Sequence, residues 1–380
     1  MAISREQRQA AAHYRRPSSD PGVGRFGRLV LIVTGLAAVL ALGPIAWGIV
    51  AGVGGVTGPS SAFASAPPGL YAVVTRTEGA VDVVGIARAD QPDTVVELAR
   101  VPHLDGFAVT GSVDPAGRFL AVAAVDAGTP LQPVASLLLI DILQGTTTRL
   151  VTGIDAAQEP LWTPAGSAVI VTRTRENEGA VDVFEVGIDG ALRQRWSQRA
   201  FGVYPIGWKD GRLLTVAIDG RGSTLQAEGE DLVHLSTSIT RDWALSPDGS
   251  AIAFVEVLTD TGVRYTPRVV SLEGGRAAAA QVAAMPGAEA LGAAWDTAGR
   301  ATFGSIPRST GVSGDASAQG LTAAGFDVPL GYSPDGTALA VVHWDGTGFD
   351  NPGTPALELA VDGDRGTVPG YRGFLGWVRR

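Results

Sequence analysis

From Gly69 onward, short apolar runs alternate with polar turns that end in Gly, and no run keeps a helical period. One phrase returns: "VDPAGRFLAVAAV" from Val113, "WTPAGSAVIVTRT" from Trp162, "WKDGRLLTVAI" from Trp208, "LSPDGSAIAFVEV" from Leu245, "WDTAGRATFGSI" from Trp295 and "YSPDGTALAVVHW" from Tyr332. Each copy sets a bulky apolar residue before a turn closed by Gly, then an apolar run of strand length. Ser246-Pro247-Asp248-Gly249 is built for a type I turn, with Ser first, Pro second and Gly last. β-branched runs bounded by such turns read as strands.

After each apolar run come a polar loop, a second β-rich run and often a third, as in "SLLLIDILQGTTTRLV" (136–151) and "ALELAVDGDRGTVPGY" (356–371). With the strand before the turn, each unit holds four short antiparallel strands. Four-stranded units recurring every 40–50 residues are the mark of a β-propeller. The copies from Val113 to Tyr332 are spaced by about 44 residues, and one more step lands on Trp377 in "GFLGWV". The chain ends there, whereas "GLYAVVTRT" (69–77) and the run 81–101 supply later strands with no strand before them. The C-terminal strand is therefore expected to complete the N-terminal sheet. The predicted fold is all-β, a seven-bladed propeller of four-stranded blades over residues 69–380, preceded by one transmembrane helix.

A second repetition supports this. "VTRTEGAVDV" (74–83) returns as "VTRTRENEGAVDV" (171–183). It reads as the hairpin between second and third strands in two blades, with extra loop residues in the later copy.

The pattern before Gly69 differs. Residues 29–53 carry no charge and follow a tail, 1–28, with six Arg against Glu6 and Asp20. As a helix, 25 residues span about 37 Å, enough for a hydrocarbon core of about 30 Å. The basic flank orients the tail inward. The expectation is a single-pass protein of the cytoplasmic membrane, joined by a linker (54–68) to a propeller outside. The alternative is secretion after signal-peptide cleavage at "AFASA", near Ala64.

Composition narrows the chemistry. The chain has no Cys, which excludes disulfides, thiolate catalysis and Cys-bound zinc. Beyond the tail it carries 23 basic and 36 acidic residues, a net charge of −13, with no basic run. Nucleic acid is not an expected partner, since phosphate binding needs clustered cations. The expected contacts are the bilayer, through 29–53, and an envelope or secreted protein, with the propeller itself a monomer.

No G-x-S-x-G or H-E-x-x-H motif occurs, and His103, His234 and His343 fall in unrelated contexts. They read as structural, and no cofactor is expected. The cluster Asp345, Asp350 and Asn351 in "DGTGFDNPG" offers oxygen ligands for calcium, but a polar turn is the simpler reading. The aromatic register (Trp162, Trp208, Trp295, Tyr332, Trp377) reads as packing between blades. Six polar residues precede the turn register, where a packed inner strand would be apolar: Glu159, Tyr204, Arg241, Asp242, Asp327 and Arg372. They mark the candidate binding surface at the channel mouth.

The S-P-D-G turn followed by "AIAFVEV" or "ALAVVHW" resembles the repeats of the TolB-like β-propeller family of bacterial envelopes. The resemblance implies a propeller that binds partner proteins through its faces and channel. The expected function is thus a tethered, non-catalytic binding module. The alternatives are a propeller lyase or hydrolase with residues gathered from several blades, and a carbohydrate-binding or sensor ectodomain.

Overall fold

Turn chemistry sets the architecture, and the first and last strands close it. The computed structural model describes residues 63–156, 158–260, 262–272, 279–281, 289–306 and 325–380. Residues 1–62, which hold the tail, the apolar segment 29–53 and most of the linker, lie outside the described residues. So does most of the Ser/Gly-rich stretch 305–320. Among the described residues no helix is long and apolar enough to cross a membrane.

The first sheet joins β1 (Leu70–Glu78), β2 (Val81–Arg88) and β3 (Gln91–Pro102) to β26 (Gly373–Arg379), in the order β26-β1-β2-β3. Pairing runs antiparallel, with Ala72 opposite Trp377. The second sheet holds β4 (Thr110–Val113), β5 (Phe119–Thr129), β6 (Gln132–Asp141) and β7 (Thr146–Ile154), and the third β8 (Leu161–Trp162), β9 (Ala168–Arg175), β10 (Ala180–Gly187) and β11 (Leu192–Arg199). The fourth holds β12 (Gly202–Lys209), β13 (Arg212–Asp219), β14 (Gly222–Ala227) and β15 (Glu230–Ser236). The fifth holds β16 (Ile239–Leu245), β17 (Ala251–Leu258), β18 (Arg264–Ser271) and β19 (Ala279–Gln281). Next come the pair β20 (Glu289–Trp295) and β21 (Ala301–Ile306), then a sheet of β22 (Phe326–Tyr332), β23 (Ala338–Trp344), β24 (Pro355–Val361) and β25 (Asp364–Thr367).

The fold is an all-β propeller with antiparallel four-stranded blades. The expected count of seven such blades is corrected to six. The remaining sheet, β20–β21, has two strands among the described residues. Residues 307–324, which follow β21 in the chain, lie outside them.

The repeated phrase 74–83 is the β1–β2 hairpin and 171–183 is β9–β10, each between the second and third strands of its blade. Glu78 pairs Val81 across a two-residue loop, whereas Arg175 pairs Ala180 across four.

Alternation sends one set of side chains from each strand towards the preceding blade and the other towards the following one. Neighbouring sheets therefore bury separate apolar clusters. Val73, Val84 and Ile86 meet Leu120, Val122 and Ile140 between the first and second sheets. Leu214, Val216 and Leu225 meet Ile252 and Phe254 between the fourth and fifth. Ala338, Ala340, Leu357 and Leu359 meet Ala72, Val74 and Trp377 where the ring closes. Full burial of such side chains contributes about 1.5–3 kcal/mol each.

The aromatic register lies at these same interfaces. Trp162 donates its indole N–H to the Ser112 carbonyl at 2.9 Å, Trp208 to Trp162 at 2.8 Å, Trp295 to Ala244 at 2.9 Å and Trp377 to Gly331 at 3.1 Å. Each bond crosses from one blade to the one before it. The Tyr332 hydroxyl meets Thr302 Oγ1 at 3.0 Å. The rings thus pack and carry hydrogen bonds between blades.

At the turns, Gly249 and Gly336 take φ of 68° and 73°, the left-handed region that favours Gly. Ser246 Oγ and Ser333 Oγ accept the amides of Ala251 and Ala338, each at 2.9 Å. Both hydroxyls in turn donate to the Asp of the same turn, Asp248 at 2.7 Å and Asp335 at 2.6 Å.

Candidate functional site

In this antiparallel order the first strand of every blade starts at one end of the ring. The hairpins between second and third strands lie at that end too, and the S-P-D-G turns lie at the other. The polar residues singled out in the sequence sit at the starts of the first strands, so they share the first end, the mouth.

Five first strands carry an extra residue just before the turn register. The pairing shifts between Pro205 and Gly207, Arg241 and Ala244, Leu291 and Ala294, Pro329 and Gly331, and again in β26 between Phe374 and Gly376. A bulge bends its strand and re-aims side chains. At Asp242 the backbone adopts φ 54°, unusual for a residue with a Cβ. Its carboxylate holds the bend in place. Oδ2 accepts the Gly292 amide of the next sheet at 3.1 Å and the Arg241 Nε–H at 3.0 Å.

The blade β22–β25 places four ionisable groups on one face. Asp327 stands opposite His343, Val341 opposite Glu358, and Ala360 opposite Arg365. Alternation gives all four side chains the face turned away from the first blade. The Asp327 carboxylate is fully buried, and His343 Nδ1 lies 2.8 Å from its Oδ1. Arg365 reaches Asp327 at 3.1 Å and Glu358 at 2.6 Å. A lone carboxylate in such a place would be costly, and the Arg365 guanidinium offsets that cost. A carboxylate can only accept, so it fixes the proton of His343 on Nδ1. Nε2 is left with a lone pair and no partner among the described residues.

On the opposite face of this blade from Asp327 and His343, Val328 and Trp344 join Leu330, Asp242 and Gly292 in lining a small cavity shared by three sheets. The Trp344 ring stacks with Phe326 at a centroid distance of 6.2 Å. The following segment, 345–353, crosses to the fifth sheet, where Phe349 lies 5.0 Å from the Tyr265 ring. The Arg241 guanidinium lies 5.8 Å from the same ring. Phe349 remains 47% exposed, and both it and the Arg241 guanidinium are set against Tyr265.

The six sequence candidates divide. Arg241 and Asp242 are brought together, and Asp327 joins the His343 network. Tyr204 packs against Trp243 at 4.8 Å, and its phenol is pushed up to about 12 by burial, with Asp155 adding to the effect. Glu159 and Arg372 are exposed beside the first strands of their blades. The expected non-participant His343 is in the site, with Glu358, Arg365, Tyr265 and Phe349, none of which has a local sequence signature.

Asp345 is engaged in its own loop, where Oδ1 accepts the Thr354 amide at 2.6 Å. Thr347 donates to the Asn351 carbonyl at 2.9 Å, so the segment is a hydrogen-bonded polar turn. Among the described residues no group of three or more His, Asp or Glu is placed to hold a metal ion.

A second buried pair is structural. Asp82 accepts the Val109 amide at 2.6 Å and the Thr77 hydroxyl at 2.5 Å, with His103 Nε2 at 3.5 Å. His103 Nδ1 lies 2.9 Å from the Leu104 carbonyl. These contacts hold the crossover from β3 to β4.

No known protein family matches the sequence, and no curated protein does. Solved structures match the fold. The periplasmic gluconolactonase of Pseudomonas aeruginosa is 16% identical, with a TM-score of 0.50 over 82% of this chain and 96% of that one. A puromycin hydrolase is 16% identical, with a TM-score of 0.51 over 83% of this chain and 56% of that one. TolB of Acinetobacter baumannii is 13% identical, with a TM-score of 0.48 over 81% of this chain. The chain spans 63% of that TolB. The β-propeller fold is what this chain shares with these structures, TolB among them.

The expectation of a non-catalytic binding module does not stand. Solved propellers of this shape include a lactonase and a hydrolase, so the lack of a local catalytic motif is no argument against catalysis. Blades bring distant residues together, as Asp327, His343, Glu358 and Arg365 show.

Proposed function

We propose that this chain is a propeller hydrolase in which His343, oriented by Asp327, is the general base. The observation that carries this reading is the 2.8 Å contact between His343 Nδ1 and a fully buried carboxylate. That arrangement fixes the tautomer, stabilises the imidazolium that forms, and leaves Nε2 as the basic atom. Arg365 pairs with Asp327 and holds it in place, and Glu358 holds Arg365.

In the proposed step, a water gives its proton to Nε2 while its oxygen bonds to a substrate carbonyl carbon. The proton then passes to the departing oxygen or nitrogen. No metal or organic cofactor enters this reading. A carboxylate and an imidazole from two strands of one blade supply the acid–base chemistry.

The same reading takes β20–β21 as a seventh, smaller blade and keeps the tether of residues 29–53. The propeller then works outside the cytoplasmic membrane. β1 begins at the face of the S-P-D-G turns, so a tether entering there turns the mouth away from the bilayer.

The test is turnover by the full chain in detergent, against lactones, aryl esters and aryl amides. Hydrolysis of one class should rise with pH through a single ionisation. His343→Gln should lower kcat by at least about a hundredfold, the usual contribution of a positioned general base. Asp327→Asn should lower it as well, with a displaced pH profile. Turnover that survives His343→Gln, or no turnover of any class, rules this function out.

A further inference from the structure

We propose that Arg241, Tyr265 and Phe349 form a subsite for a planar anion joined to an apolar or aromatic group, and that this is the part of the substrate held away from the reacting bond. The substrate assignment rests on the hydrolase reading, but the subsite itself is a binding claim and needs no turnover.

Arg241 is held by one edge. Its Nε–H is bound by Asp242 at 3.0 Å, and Asp242 is itself fixed by the Gly292 amide. The other nearby carboxylate, Glu289, accepts the Tyr265 amide. Both acids are thus committed. The two terminal nitrogens of Arg241 have no acceptor among the described residues. The side chain is 15% exposed, so it is largely desolvated yet reachable. A guanidinium with one edge tethered presents the other as a planar fork, which suits a carboxylate better than a point charge would.

Behind the fork lies an aromatic floor. Tyr265 faces the guanidinium and Phe349 leans on Tyr265 at an interplanar angle of 47°. Phe349 is one of few large apolar residues left exposed among the described residues. A ring set against Phe349 would cover that surface while its carboxylate meets Arg241. The net charge of −13 beyond the tail makes this donor pair a local exception, so anion binding here must come from geometry rather than from the field of the whole protein.

The site lies in the same mouth as the proposed base. Asp242, next to Arg241, and Trp344, which follows His343 in the chain on the opposite face of its strand, line one cavity at this end of the ring. The 345–353 segment that starts beside His343 ends its reach at Tyr265. A substrate bridging the two would bear an acid on its non-reacting part.

The experiment is a titration of the full chain in detergent with benzoate, followed by ligand-observed NMR, with benzyl alcohol and acetate as partial probes. Benzoate should bind saturably, and each partial probe at least about tenfold more weakly. Arg241→Gln and Arg241→Lys should each weaken benzoate at least tenfold, the second because it keeps the charge and loses the fork. Phe349→Ala, on an exposed loop, should weaken it without altering the melting temperature. His343→Gln should bind benzoate as the unaltered chain does. Absence of saturable binding, or equal binding by Arg241→Lys and the unaltered chain, overturns the subsite. Benzoate binding in a chain that hydrolyses nothing would preserve the subsite and remove the hydrolase reading.

Discussion

Trp208 donates its indole N–H to the backbone carbonyl of Trp162, 2.8 Å away in the preceding blade. The acceptor residue repeats the act one blade earlier, through its own indole to Ser112. A ring in this register therefore fills the wedge between sheets and ties it with a bond that apolar packing alone would not give. Trp208→Phe should keep most of the packing and remove that bond, costing about 1 kcal/mol. Trp162→Ala, at a site only 5% exposed, should cost about 3–5 kcal/mol. Urea unfolding midpoints at constant slope measure both. A Trp208→Phe chain as stable as the original would make the indole bond incidental.

The pair His103 and Asp82 makes stability depend on pH. His103 Nδ1 faces a carbonyl, which can only accept, and Nε2 faces a carboxylate. A neutral imidazole would turn a lone pair on one of them, so these contacts favour the protonated ring. Burial alone would push its pKa down, but the Asp82 contact, the Leu104 carbonyl and the charges of Asp82 and Asp105 together raise it. A raised folded pKa means a contribution fully present below the unfolded value near 6.5 and lost as pH climbs through the folded one. Denaturant unfolding between pH 5.5 and 9 should thus show stability falling on the alkaline side. In His103→Gln that part of the slope should vanish. A slope that persists in the variant would assign it to other groups.

Ring closure depends on one strand. β26 completes the first sheet, with Leu375, Trp377 and Val378 buried. Cutting the chain after Arg372 should expose the paired edge of β1 along its length and leave the neighbouring sheets without those side chains. Open strand edges recruit other chains. The shortened protein should lose its cooperative thermal transition and run as oligomers in size-exclusion chromatography. A monomer with an unchanged melting temperature would show that the ring does not need β26.

The blade repeat could be read from the sequence because the signals that encode it are local. A Ser, Pro or Gly at a turn acts on its own backbone, and alternation acts between nearest neighbours. The phrases 74–83 and 171–183 landed on equivalent hairpins for that reason. The even count of seven four-stranded blades was not secure on the same basis. That count came from spacing alone, and among the described residues the sheet of β20 and β21 has two strands.

The candidate site was legible only in part. Arg241, Asp242 and Asp327 stood out because each is polar where an inner strand should be apolar. His343 did not, since its partners lie at Asp327 and Arg365, and nothing in the spacing of 327, 343, 358 and 365 signals that they meet. Phe349 looked like one residue of a polar loop. Its approach to Tyr265, more than 80 positions back in the chain, is set by how two blades pack.

The sequence by itself determined the unit, its turns, the aromatic positions between blades and the strand that closes the ring, because local backbone chemistry and period-two burial specify them. Only the tertiary structure decided which charged residues share a face and which atoms they leave unpaired. Strand register brings residues tens of positions apart within 3 Å, and that proximity depends on every pairing between them rather than on any single stretch of chain.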